Sequence, residues 1–494
     1  MIALLLVVAL FLYLTWVGQA VISLLRPRLG VLLGWFLAPT VGLALLVTIV
    51  TRLNVWGWPV KTFGPGLAVG FFVGATAILA WRRPKLPWRQ LTPFLIIAGG
   101  SLLCCGWPLL RFGFNWISYG NDDMANYCLS GDRFLNHGYY EFPQQAALKG
   151  HDYTQAYWYM HALEQIRSGA DQVLAWAAAI TGLNTHQVFM PVILMLGLLQ
   201  LFALGALALF RGRHRRWTLI AFFLLATSPL FALGTFFQLI AQVGGIALLL
   251  AAAAVLISAR FLNTRKTLLA GLLTCGLGLF YPEVAPFLAL GILFFAARLV
   301  CTGRATFRRY FLFVVGTAVI TFVLLGPNTI EFLSTLLAQS SLQLGHSTDD
   351  LVRQDVWALL FPWTMVPSFL PTIFGLHAYG TVGTDPILSI TIVAGFILLG
   401  YTVWQVARSA KLNAPAGYLG AVMVPFGFML FFQEVNFGLF KLAMFIQPVI
   451  AFVLARDVAR FWSDHRRCIR FAARVGFITF FACTIPVFIR YGQG

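Results

Sequence analysis

Two carboxylates stand side by side in "NDDMANYCLSGDRFLNHG" (121–138), in a chain of 494 residues that holds only 16 acidic ones. Neighbouring carboxylates cannot both ionise freely, so one of Asp122 and Asp123 tends to a raised pKa. Burial in low dielectric would carry it further, towards the strength of a general base. A plainer role is open to the same pair, because acids in a first helical turn favour the positive N-terminus. The segment predicts a short amphipathic helix over 122–136, with Asn121 as N-cap and Met124, Leu129, Phe134 and Leu135 on its apolar side. Gly138 then stops it. A second helix is expected over 159–180, lying along a membrane surface. Between the two runs "YYEFPQQAALKGHDYTQAYWY", whose Tyr and Trp suit an interface or stacking on a sugar ring.

The elements that must carry this pair are set by composition. The chain is 60% hydrophobic and 10% charged, with a mean hydropathy of +0.84, against roughly 25% charged in an ordinary soluble domain. Apolar runs long enough to cross about 30 Å of hydrocarbon recur throughout. The expected fold is an all-α polytopic membrane protein of about 14 transmembrane helices. Their positions are 2–25, 30–50, 64–81, 91–110, 186–210, 217–236, 240–259, 267–282, 285–300, 310–327, 386–407, 417–433, 437–455 and 474–490. A β-barrel would need short alternating segments instead. Residues 2–25 lack a basic leader and read as a retained first helix.

The connections alternate in charge. One set carries 25 of the 34 Lys and Arg; the other holds nine, together with 14 of the 16 acids, Asp457 and Asp464 being the exceptions. Basic loops stay in the cytoplasm, so the acid-rich connections, 111–185 and 328–385 above all, should face outward. The net charge of +18 follows from those loops and implies no nucleic-acid partner. The seven cysteines form no CxxC pair and predict no structural disulfide. No GxxxxGK[ST] occurs, and no large cytoplasmic part exists to bind a nucleotide, which argues against an ATP-driven pump. The stretch "VWALLFPWTMVPSFLPTIFG" (356–375), broken by three prolines, reads as an interfacial or re-entrant segment.

"DDMANYCLSGDRFLNHG" opens with an acidic pair, has an aromatic one turn on and closes with Gly near the helix end. In that pattern the loop resembles the acidic first outer loop of the GT-C glycosyltransferases. "LFYPEVAPFLAL" (279–290) and "NFGLFKLAMFIQP" (436–448) resemble outward helix ends of bacterial members, and the likeness spreads over 91–455. It implies a GT-C-like bundle with interfacial helices in the first large outer loop. It further implies an inverting enzyme that moves a sugar from a polyprenyl-phosphate carrier to a hydroxyl acceptor at the outer face. The family begins with one span before the acidic loop; this chain has four. Residues 1–90 then read as a three-helix addition, 91–327 as the core, 328–385 as the second outer loop and 386–494 as C-terminal helices.

On that reading the base lies in the acidic pair. Tyr127, one turn later as in the family pattern, favours Asp123, with Asp122 positioning or sharing a proton. Departing phosphate is a good anion and needs cations rather than an obligatory acid. Lys441 at the start of an outward span is the first candidate, with snorkelling to headgroups as the plainer account. Arg353 is next, unless it pairs with nearby Asp residues; Arg133 could bind phosphate or orient the acids. Glu283 in "YPEVAP", Glu434 in "FFQEVNFG", Tyr127 and His137 are candidates for the acceptor or sugar, Glu283 having a turn role as its alternative. Scattered histidines 137, 151, 161 and 346 make a divalent metal conceivable, but no HxH or HExxH occurs and none is expected. The expected partners are a polyprenyl-phosphate-linked sugar, a glycan or lipid acceptor and the bilayer of a bacterial inner membrane. The competing classes are a transporter or lipid flippase, and an O-antigen polymerase or ligase. With native cysteines replaced, Lys149→Cys should react with an impermeant maleimide on intact cells, and Lys411→Cys only after permeabilisation. The opposite pattern would invert the orientation.

Overall fold

Glycines set the closest packing in the chain. The first two helices, α1 (Ile2–Leu25) and α2 (Val31–Val55), cross at Gly18 and Gly42. A Cβ on Gly42 would stand 2.0 Å from the Leu14 carbonyl oxygen, and one on Gly18 1.8 Å from that of Ala38. Small residues at such crossings let backbones touch where lipid supplies no hydrophobic drive.

The computed structural model describes residues 1–118, 122–150, 152–209, 215–259, 262–301, 303–343, 369–376, 386–433 and 435–462, with Phe471. Among them the regular structure is helical, with no strand. After α2 come α3 (Val60–Arg82), α4 (Trp88–Phe112) and α5 (Asp122–Asn136). They are followed by α6 (Gly169–Thr181), α7 (Thr185–Ala208), α8 (Arg215–Ala226), α9 (Pro229–Phe236) and α10 (Ile240–Leu256). The remainder is α11 (Thr264–Phe280), α12 (Ala285–Val300), α13 (Arg304–Leu325), α14 (Asn328–Gln343), α15 (Ile387–Lys411), α16 (Pro415–Phe432) and α17 (Asn436–Trp462).

Ten of these helices are long and apolar enough to cross a membrane, or eleven crossings if the bent α8–α9 pair is one. Fourteen were expected, and the difference has local causes. Within 217–236 the chain bends by 49° at Thr227–Ser228, where Pro229 lacks an N–H and clashes with the preceding turn. Helices α10 and α11 have 17 residues each, a rise of about 26 Å against roughly 30 Å of hydrocarbon. The span expected over 474–490 lies outside the described residues. The membrane assignment itself stands: α3, α13 and α15 leave faces such as Val69, Phe72 and Val73, or Val393, Phe396 and Ile397, open to whatever surrounds the bundle. Apolar exposure on that scale requires a lipid solvent.

The first helices share one core with the later ones. Helix α7 is buried along its whole apolar window and α2 along 78% of it, and both belong to one continuous core. Phe36 of α2 packs edge-on to Phe94 of α4 at 4.9 Å and tilted to Phe202 of α7 at 5.6 Å. Gly276 of α11 lies directly against Ala44 of α2. One expectation shifts. The run 159–180 is not one surface helix: a short turn over 156–163 ends, Gln165 takes a left-handed φ of 55°, and α6 begins anew at Gly169. Helix α6 is buried, with Leu174, Ala175 and Trp176 at most 1% exposed. In the second long acid-rich connection 328–343 is helix α14; of the stretch 356–375 the residues before 369 lie outside the described ones, and Phe369, Leu370 and Phe374 pack into the bundle.

Replacing Gly42 by Val should lower the thermal midpoint of the detergent-solubilised protein, an overpacking cost of about 3 kcal/mol. Gly70→Ala, in open space on α3, should leave the midpoint unchanged in the same melt.

Candidate functional site

The acidic loop is held by polar groups, beginning with Asn54 in the last turn of α2. It is fully buried. Its Nδ2 donates to the carbonyls of Trp58 at 3.0 Å and His137 at 2.9 Å, and its Oδ1 accepts from Gln172 Nε2 at 2.9 Å. Its own carbonyl receives the Tyr139 N–H at 2.9 Å. One side chain thus ties the α2–α3 turn, the end of α5 and the start of α6. Gly138 makes the junction possible, since a Cβ there would stand 2.7 Å from the Gly57 backbone.

Helix α5 forms over the range its pattern predicts, Asp122–Asn136. It buries Met124, Cys128, Ser130 and Phe134 and turns Ala125 and Asn126 outward. Arg133 is buried at 1% exposure: Nη1 donates to Gln155 Oε1 at 2.7 Å and Nη2 to the Glu141 carbonyl. His137 joins the same brace through Glu141 Oε1 at 2.9 Å and Gln155 Nε2 at 3.1 Å. Deeper, His161 Nδ1 donates to the Ile166 carbonyl at 3.1 Å while Nε2 meets both Ser130 Oγ, at 2.6 Å, and Asp171 Oδ2, at 3.5 Å. Burial pushes the imidazole down to about 4 and the Asp171 carboxyl well above the usual range. A nucleophilic triad sets hydroxyl and acid on opposite ring nitrogens. Here both face one, so the cluster is an uncharged brace. Tyr139 and Tyr140 donate to the two oxygens of Glu331 at 2.9 and 2.7 Å, docking the loop on α14.

These braces frame a charged group. Arg167, in the break before α6, pairs through Nη1 with Glu283 Oε1. Its Nη2 donates to Tyr127 Oη at 3.1 Å, and its guanidinium lies over the Tyr281 ring at 5.0 Å. The Glu283 side chain is 1% exposed and that of Arg167 17%. Burial opposes the Arg167 charge, but Glu283, Tyr127 and Tyr281 outweigh it and hold the guanidinium well above its ordinary range. Lys441, half-buried near the start of α17, lies within electrostatic range of Glu283, Arg167 and Asp123. Asp123 also acts on Tyr127 and Tyr281. Four separate segments therefore converge: α5, the 164–168 break, the 281–284 corner and α17.

Of the residues singled out from sequence, Asp123, Tyr127, Glu283 and Lys441 come together. Arg133 and His137 belong to the loop brace. Asp122 opens α5, and Arg353 and Glu434 lie outside the described residues. Arg167 and Tyr281 were missed. Arg167 was one more outward cation while 159–180 read as one helix; the "SGAD" after it was the available sign of a break. Among the described residues no three of His, Cys, Asp and Glu group as a metal site requires. The chain matches no protein-family model and no curated protein.

Chemically the cluster offers a carboxylate near two cations, a second carboxylate and two phenols. Glu283 Oε2 and Arg167 Nε are buried without a hydrogen-bond partner, and buried polar atoms in that state mark a place for water or ligand. Arg167→Met should cost about 3–5 kcal/mol, because it strands the Glu283 charge. The Arg167→Met/Glu283→Met pair should recover most of it in thermal melts; equal loss in single and double variants would refute a coupled pair.

Proposed function

We propose that the chain is a membrane glycosyltransferase of GT-C type, moving a sugar from a polyprenyl-phosphate carrier to a hydroxyl acceptor. The observation that carries this reading is the meeting of Asp123 with Arg167, Lys441 and Glu283 on one side of the bundle. Asp123 takes the acceptor's proton as the hydroxyl attacks the anomeric carbon from the face opposite the leaving group. Lys441 and Arg167 hold the departing phosphate, where preformed cations in a dry site are worth most. Glu283 keeps Arg167 aimed and presents Oε2 to the acceptor, and Tyr127 and Tyr281 supply faces for the sugar. The charge alternation of the loops supports an outward site in a bacterial inner membrane.

Asp123→Asn should lower kcat by at least about a hundredfold in membranes supplied with a polyprenyl-phosphate sugar, while the protein remains inserted. Lys441→Gln should lower kcat and also raise the KM for that donor. Full transfer by Asp123→Asn would end the assignment. The central arginine also fits a polymerase or ligase working on the same lipid-linked substrates. If Arg167→Lys removes transfer and Asp123→Asn does not, that reading replaces the first.

A further inference from the structure

A second site lies among the basic connections, away from the acidic loop. Between the α1–α2 turn, the start of α8 and the start of α11 is a cavity of about 530 Å3. Arg28, Arg215 and Lys266 line it, each from a different element, and among the described residues no carboxylate does. Its remaining wall is largely apolar, with Leu29, Leu32 and Leu207.

Lys266 is not a surface lysine. It is 3% exposed, with Nζ donating to the Ser258 carbonyl at 2.9 Å and lying over the Phe313 ring at 5.2 Å. Arg215 is fixed by Nη2 bonds to the carbonyls of Arg89, at 2.9 Å, and Gln90, at 3.3 Å. The first turn of α2 also lines the space, and its N-cap, Gly30, has no side chain to satisfy the leading amides. That end of a 25-residue helix adds partial positive charge. Arg82 stands within electrostatic range of Arg26 and Arg265, neighbours in sequence of the lining residues. Orientation by positive loops explains basic residues at a surface. It does not explain a buried lysine in the wall of a half-apolar cavity.

We infer that this cavity binds a phosphate group, with three cations and a helix N-terminus as its receptor and the leucine wall as the seat of an attached acyl chain. Basic pockets between helices on the cytoplasmic side take anionic headgroups by this chemistry. The site is independent of the sugar-transfer reading and would stand if that reading fell.

The full chain is reconstituted in discs of phosphatidylcholine alone or with phosphatidylglycerol, and lipid retention is read by native mass spectrometry together with the melting midpoint. In a second arm inorganic phosphate is added to the phosphatidylcholine discs. Arg28→Gln and Arg215→Gln should each weaken phosphatidylglycerol binding about fivefold. Arg309→Gln, an exposed basic residue outside the lining, should not. A midpoint that rises with phosphatidylglycerol and not with inorganic phosphate assigns the group to a lipid; a rise with inorganic phosphate alone assigns it to a soluble ligand. If both lining variants match Arg309→Gln in both arms, the cavity is no phosphate site. Two lining variants are used so that a folding defect in one leaves the answer to the other.

Discussion

The acid-rich side of this protein depends on a buried ion pair. Arg167 and Glu283 meet where neither charge would be tolerated alone, since stranding one partner of such a pair costs several kcal/mol. The pair joins the loop to the corner between α11 and α12, elements more than a hundred residues apart. Tyr127 and Tyr281 add a hydrogen bond and a ring face to the same guanidinium. A charge so placed fixes what stands near it, so Asp123 and Lys441 inherit their setting from it. The desolvation that makes the pair costly also strengthens its field on anything that enters.

Around that pair the loop is braced by further hydrogen bonds. The uncharged Ser130–His161–Asp171 cluster, the buried Arg133 fork and the Glu331 bonds each satisfy groups that would otherwise be stranded. Arg133 Nε and Asp171 Oδ1 stay buried without a hydrogen-bond partner within them. The helices beneath are joined by small residues and interlocking aromatic rings rather than by charge. One exception is Asp457, an acid among the basic connections, buried at 5% exposure and held by Tyr401 and Gln405.

Much of the fold was legible in the sequence because apolar run length and helix-stop chemistry are local. Helix α5 was readable from Met124 and Phe134 on one side and Gly138 at its end. The long apolar helices were readable from hydropathy alone. What escaped was tertiary. No local signal says that α10 stops at 17 residues, or that an alanine-rich stretch such as "LAWAAAI" lies buried instead of floating on the surface. The site divided along the same line. Asp123 and Tyr127 were singled out by the acidic pair and the family likeness, and Glu283 and Lys441 by their place near span ends; the structure brings the four near one another. Arg167 was not, because its importance comes from a backbone break that puts it beside a glutamate distant in sequence. Arg133 looked equally available in sequence, yet its surroundings turn it inward.

Asn54 carries a consequence for the order in which the molecule is made. It belongs to α2, which is synthesised before the acidic loop, yet its side chain and carbonyl receive the turn after α5 and the first turn of α6. The mould for the acidic loop is thus laid into the bilayer before the loop has been synthesised. Each later segment docks on a finished edge instead of searching for one. A chain built this way assembles its working surface from the front backwards, so an early error at α2 would be inherited by everything placed upon it.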